Sequence, residues 1–236
     1  MNIVVTGSSR GIGAAIARRL AAPGRSVLVN YLQGEEAARG VAAEVEARGA
    51  RAVLVQGNVR SEDDLRRIAC TFDSVDVLVH NAAIGVLKPF DKIRTAQWDL
   101  TLESSLRPFW LLTKLCAFAE GATVIGLSSM GSTRHVPGYA AMGAAKAGME
   151  ALTRQLAVEL APRVRVNTVC GGLVRTDALR YFADGERMIE FASRHTPLRR
   201  IAEPDDIAAI VELLVDRRSY WINGQVIVAD GGLSVL

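Results

Sequence analysis

An apolar run, Ile3-Val4-Val5, passes directly through Thr6-Gly7-Ser8-Ser9-Arg10-Gly11-Ile12-Gly13 into AAIARRLAA, whose apolar positions recur at helical spacing until Pro23-Gly24. A strand that enters a helix through a glycine turn leaves a parallel return as the natural continuation, and the pattern repeats. Val27-Leu28-Val29 is followed by a helix through EEAARGVAAEVEARG, then Ala52-Val53-Leu54-Val55, a helix opened by Ser61-Glu62-Asp63-Asp64, and Val75-Asp76-Val77-Leu78-Val79. Further strands are expected at Thr123 to Leu127, Val164 to Val169 and Gln225 to Val228, with helices from about Thr95, Gly143 and Pro204. Unbroken apolar strands are buried on both faces, so the expected fold is α/β: one doubly wound parallel sheet with helices on both sides. The 236 residues, 50% of them hydrophobic, suffice for one such core, and no linker or low-complexity tract divides the chain. Residues 1–236 are therefore expected as a single domain. The late segment Asp177 to Thr196 reads as irregular, and with Leu179, Arg180, Tyr181 and Phe182 it is expected to serve as a substrate lid.

Charge narrows the functional classes. Twenty-eight basic against 25 acidic side chains leave +3, with no long run of one sign, which argues against nucleic acid as a partner. The longest stretch without Asp, Glu, Lys or Arg is Gly121 to Thr133, short of the roughly 20 apolar residues that span a bilayer. No basic region or cleavage site precedes the first strand, so a cytoplasmic protein is expected. Cys70, Cys116 and Cys170 are widely spaced, without a CxxC pair, and read as buried thiols. His80, His135 and His195 lack metal-ligand spacing, and no metal is expected.

The glycine spacing Gly7, Gly11, Gly13 is looser than GxGxxG, but its place between a first strand and a first helix suits a dinucleotide. Glycines let a phosphate approach the backbone, and the helix N-terminus favours its charge. Ser9, Arg10 and Ile12 complete the loop. An NAD site usually carries an acid about 20 residues further on, at the end of the second strand, to bind the ribose hydroxyls. Here that position reads Asn30-Tyr31, with no carboxylate to repel a 2′-phosphate, while Arg10 is placed to pair with one. NADPH is expected over NADH.

TGSSRGIG, HNAA at His80 to Ala83, SSMGS at Ser128 to Ser132, AAKAGMEALTRQLAVELAP around Lys146, RVNTVCGG and a terminal ADGG together resemble the short-chain dehydrogenase/reductase family from end to end. The resemblance implies a Rossmann-type reductase and a homotetramer. It also implies Asn81, Ala82 and Ala83 as the adenosine-side wall of the cofactor pocket, and Asn58-Val59 as the adenine contact. Gly172, Val174 and Thr176 would lie along the pyrophosphate or carboxamide, and Ser128 or Ser129 would be the active-site serine. Family members normally place a Tyr four residues before the Lys, where this chain has Met142, and an Asn where it has Ser105. A tyrosine does stand at Tyr139, and the resulting Y-x6-K with Lys146 resembles the NADPH-dependent enoyl-acyl-carrier-protein reductase branch.

Conjugate reduction gives that spacing a reason. In a ketone the oxygen gathering charge is bonded to the carbon that receives hydride. In an enoyl thioester hydride goes to C3 while charge gathers on the C1 oxygen, so the hydrogen-bond donor must reach farther. On a helix, i and i+7 lie two turns apart on nearly one face, whereas i and i+4 are one turn apart. Tyr139 is expected as the donor, with Lys146 lowering its pKa and holding the nicotinamide ribose. The expected activity is NADPH-dependent reduction of an enoyl thioester that is free or carried on a protein. The alternatives are a ketoreductase acting on a polyketide or other carbonyl, and a non-catalytic NADP-binding regulator, against which the retained Lys146 argues.

Overall fold

The computed structural model describes residues 1–177, 179 and 185–236. Seven strands, β1 (Asn2–Val5), β2 (Ser26–Tyr31), β3 (Arg51–Gln56), β4 (Val75–His80), β5 (Phe118–Ser129), β6 (Val164–Gly171) and β7 (Val226–Ala229), form one parallel sheet in the order β3-β2-β1-β4-β5-β6-β7. The order runs outward from β1 to β3, returns, and runs outward again from β4. The reversal point lies between β1 and β4, where open sheets of this kind bind their ligands beyond the carboxyl ends of the strands.

Among the described residues there are eight α-helices, most of them packed on the two faces: α1 (Gly11–Leu20), α2 (Glu35–Ala47), α3 (Glu62–Ala69), α4 (Thr95–Ser105), α5 (Arg107–Leu115), α6 (Ala140–Glu159), α7 (Gly185–His195) and α8 (Pro204–Val215). Successive strand residues point to opposite faces, which is why the strands read as continuous apolar runs. Ile3, Val5, Val27 and Val29 join Ile16 and Leu20 of α1, Val41 of α2 and Val211 of α8 in one buried cluster. Val4, Leu28 and Leu78 join Leu65 and Ile68 of α3, Phe109 and Leu112 of α5 and Met149 of α6 in the other.

The expected elements are present, with four differences. The helix expected from Thr95 is two helices broken at Leu106, because Pro108 in the first turn of α5 lacks the N–H that would bond back into the preceding turn. α6 begins at Ala140 rather than near Gly143; Gly138, at φ +71°, makes the turn into it. Cys70 is exposed at the C-terminal cap of α3, whereas Cys116 and Cys170 are buried as expected. Within the segment expected to be an irregular lid, residues 185–195 are the regular helix α7, and Ala178 and Arg180 to Asp184, including Tyr181 and Phe182, lie outside the described residues. No described helix is long and apolar enough to cross a membrane.

Candidate active site

The carboxyl end of β1 meets the carboxyl end of β4 through a buried polar network. Thr6 Oγ1 accepts the backbone N–H groups of Asn81 at 3.1 Å and Ala82 at 3.0 Å, and the Asn81 amide donates to the carbonyls of Thr6 and Gly7 at 3.0 and 2.9 Å. From the other side, Asn30 Oδ1 accepts Gly7 N–H at 3.0 Å while its amide donates to Val55 and Gly57. Asn81 and Asn30 thus shape the glycine loop itself. Ser8, which the sequence did not single out, ties β1 to β2 through Val5 O and Asn30 N. Tyr31 packs in the core, and Ala83 is exposed.

This frame leaves no room for a side chain at Gly7 or Gly13. A Cβ on Gly7 would lie 2.9 Å from Ala82 Cα, and one on Gly13 2.4 Å from Gly7 O. Gly11, at φ +57°, faces open space as far as Thr176 Cγ2, 3.6 Å from where its Cβ would be. Val174, bridged to Ala202, and Gly172, bonded to Ala229 O, hold the segment after β6 that carries Thr176 opposite the loop. α1 starts with no side-chain cap and no acid in its first turn, and Arg10 is its N-cap residue. A cation at a helix N-terminus opposes the dipole, and the first N–H groups of the helix lack partners; a bound anion relieves both. Among the described residues the exposed Arg10 guanidinium makes no ion pair. The residues present therefore fit a dinucleotide phosphate. Asn58, at the end of β3, uses its side-chain oxygen on Arg60 N–H and its own N–H on Asp64, and Val59 beside it is buried.

On the other side of the reversal point, Tyr139 is the N-cap residue of α6. Its phenol is hydrogen-bonded to the side chain of Ser129, the last residue of β5. Burial holds the phenol pKa above its ordinary value of 10, and the bond to Ser129 acts against that rise. The ring packs against Gly131, where a Cβ would come within 2.3 Å of Cδ1. Ser128, one residue earlier, faces the other way and donates to Glu150 Oε1 at 2.5 Å. The structure thereby separates the two serines that the sequence left as alternatives. Met142 occupies the position of the absent tyrosine; it packs into the space left by Gly85, and the Ser105 hydroxyl contacts its sulfur at 3.8 Å.

Lys146 is buried one turn beyond Met142 and donates to Leu127 O at 2.7 Å. Burial lowers its pKa to about 8, with Cys170 and Glu150 opposing. The expected lowering of the tyrosine by this lysine is not what the structure shows: the ammonium is turned to the β5 backbone, and burial dominates at the phenol. Cys170, on β6 beside Ser128, is pushed up to about 12 by burial and is an inert thiol here. A cleft of about 740 Å³ opens beside Tyr139, with Lys88, Phe90, Ser132, Arg134 and His135 in its lining.

His80 completes the network under the site. Its Nε2 faces Ser105 O at 3.2 Å, which only accepts, so Nε2 carries the proton and Nδ1 accepts the Thr6 hydroxyl at 3.3 Å. Burial first, and the Lys146 ammonium second, lower its pKa to about 3. The unfolded chain takes up this proton below about pH 6.5, whereas the folded chain resists it down to about 3. The stability contributed by neutral His80 is therefore complete above about pH 6.5 and lost progressively as pH falls through that window. Between about pH 6.5 and about pH 4.5 the loss is about 2 kcal/mol. Urea midpoints at neutral and acid pH should fall less for His80→Asn than for the parent; equal falls would show that another group carries the acid sensitivity.

Residues 7–234 match the family model described as Enoyl-(Acyl carrier protein) reductase. The chain is 35% identical to a 3-oxoacyl-[acyl-carrier-protein] reductase of Synechocystis, over 98% of this chain and 95% of that protein. It is 34% identical to the 1-cyclohexenylcarbonyl-CoA reductase of Streptomyces collinus, over 99% of this chain and 86% of that one. Among solved structures, a short chain dehydrogenase from Burkholderia cenocepacia in complex with NADP superposes with a TM-score of 0.90 at 33% identity, covering 98% of this chain and 97% of that one.

Proposed function

The chain belongs to the short-chain dehydrogenase/reductase family, and on that premise we propose that it uses NADPH to reduce the C2=C3 double bond of an enoyl thioester. The observation that carries the reading is the placement of Tyr139: at the N-cap of α6, hydrogen-bonded to Ser129 and bordering the cleft, while the position one turn further in is filled by Met142 packed on Gly85. The family model's description and the Streptomyces collinus reductase, named for an unsaturated acyl-CoA, support the same reading.

NADPH, when bound, supplies the hydride that C3 of the substrate accepts. The glycine loop, the first turn of α1 and Thr176 would hold its phosphates, and Arg10 the 2′-phosphate. As C3 gains the hydride, the electron pair of the double bond moves onto the C1 oxygen. Tyr139, protonated because its pKa lies above 10, donates a hydrogen bond or its proton to that oxygen, with the N-terminus of α6 supporting the phenolate that forms. C2 then takes a proton from water, and Tyr139 recovers any proton it gave to the C1 oxygen, which yields the saturated thioester. Ser129 fixes the phenol's direction. The cleft beside Tyr139 would take the acyl chain, and its exposed rim residues Lys88 and Arg134 suit the phosphate of a carrier-bound or CoA-bound thioester.

Ketone reduction is the second reading, favoured by the similarity to 3-oxoacyl-[acyl-carrier-protein] reductases. NADPH oxidation at high protein concentration with an enoyl thioester, a β-ketoacyl thioester and a panel of aromatic polyketide ketones separates the two. Turnover of the enoyl thioester is expected to exceed the others, and turnover confined to ketones would overturn the proposal. Arg10→Ala should weaken NADPH on the order of 10- to 100-fold, the range of a charge-assisted hydrogen bond, and leave NADH nearly unchanged. Equal losses, measured by fluorescence titration, would remove Arg10 from that role. A homotetramer fits the strongly exposed Trp221, Leu213, Val158 and Leu236, and light scattering of the purified protein tests it.

A further inference from the structure

We propose that Glu150 is a positioning residue for reduction: its carboxylate clamps the turn between Ser128 and Ser132 and thereby sets Ser129 against the Tyr139 phenol. Glu150 lies on α6 one turn beyond Lys146 and is only 7% exposed. One of its oxygens, Oε1, accepts both the Ser128 hydroxyl at 2.5 Å and the Ser132 hydroxyl at 2.6 Å. These two serines bracket Ser129 and the short 3-10 turn Met130–Ser132 that follows it. Ser129 Oγ caps this turn, accepting Gly131 N–H at 3.4 Å, while its hydroxyl is shared with Tyr139.

The turn has little freedom to sit elsewhere. A Cβ on Gly131 would strike the Tyr139 ring, and a Cβ on Gly143 would come within 2.5 Å of Gly131 O, so the turn is pressed against the first helical residues of α6. Close contact on that side and the carboxylate clamp on the other leave the Ser129 side chain one direction. Burying a carboxylate is unfavourable unless it is well hydrogen-bonded, and beside Met149 an apolar side chain would fill the volume without that penalty. Both serines donate to Glu150, so no proton passes from it towards Tyr139 along these bonds. Its action on the reaction is through position, since misplacing a donor by about 1 Å costs up to about 10²-fold in rate.

The inference rests on Tyr139 with Ser129 being the reducing pair, but not on which thioester is reduced. The test uses the full chain with whichever substrate the parent turns over, and compares Glu150→Leu, Glu150→Gln, Ser132→Ala and Ser129→Ala, singly and combined. Glu150→Leu should lower kcat by about 10- to 100-fold with KM and NADPH affinity within about threefold. Glu150→Gln keeps an oxygen acceptor for both hydroxyls and should restore kcat to within about fivefold of the parent. In the Ser129→Ala background, at a pH well below 8 where Lys146 stays charged, Glu150→Leu should change kcat by less than about twofold, because its route of action through Ser129 is already gone. If Glu150→Leu does not fold, Ser132→Ala provides the same cycle with a smaller first step. Additive losses in both backgrounds, or a fall in melting temperature with kcat unchanged, would overturn the role of Glu150. Full turnover in Tyr139→Phe would instead sink the functional reading on which it rests.

Discussion

Tyr139→Phe is expected to lower turnover of the enoyl thioester by about 10²- to 10⁴-fold, the scale of a positioned acid, and to leave NADPH affinity nearly intact. The substitution removes one oxygen from a ring that is held on Gly131 by packing, so the ring stays in place and only the donor is lost. Ser129 loses its partner, but its bond with Gly131 N–H remains. The glycine loop proposed to hold phosphate is fixed by hydrogen bonds among β1, β2 and β4 that do not include this hydroxyl. Stopped-flow NADPH oxidation under single turnover separates the chemical step from product release. Near-normal turnover on every substrate that the parent reduces would make a substrate-supplied or water-supplied proton the better mechanism.

The sheet and the glycine loop were legible in the sequence because their signals are local. Most strands carry an apolar run of three or four residues, although Arg165 and Asn167 interrupt β6, and the tight turn needs glycine at Gly7 and Gly13. The spacing of Tyr139 and Lys146 was equally plain, being two turns of one helix. The choice between Ser128 and Ser129 was not, because neighbours on a strand face opposite sides and a shift of one residue exchanges them. β5 pairs with β6 through Ser129, and only that register shows which serine meets the phenol. The space that takes Met142 comes from Gly85, distant in sequence, and no local pattern signals such a match. Glu150 did leave a trace: a carboxylate four residues after Lys146 shares its helix face, next to the apolar Met149. The direction of Lys146 left none, since Leu127 O is a backbone group offered by a strand.

Lys146 should prove the costlier residue to lose, on the proposal that it holds the nicotinamide ribose beside the reacting atoms. Lys146→Ala is expected to reduce kcat/KM by about 10³-fold or more and to weaken NADPH as well, whereas Tyr139→Phe affects turnover alone. Its charge is also the one that titrates first. Burial holds its pKa near 8, while burial holds the Tyr139 phenol above 10. If the ammonium form is required, the free enzyme is competent below about 8 and loses kcat/KM as pH rises through that value. Glu150 and Cys170 face the same ammonium and raise its pKa, so Glu150→Gln should move the alkaline limb to lower pH. Lys146→Met, which keeps most of the buried stem, should abolish the limb near 8 and leave a low, flat profile until the phenol titrates. A limb that persists unchanged in Lys146→Met would assign it to another group and leave Lys146 a purely cofactor-holding residue.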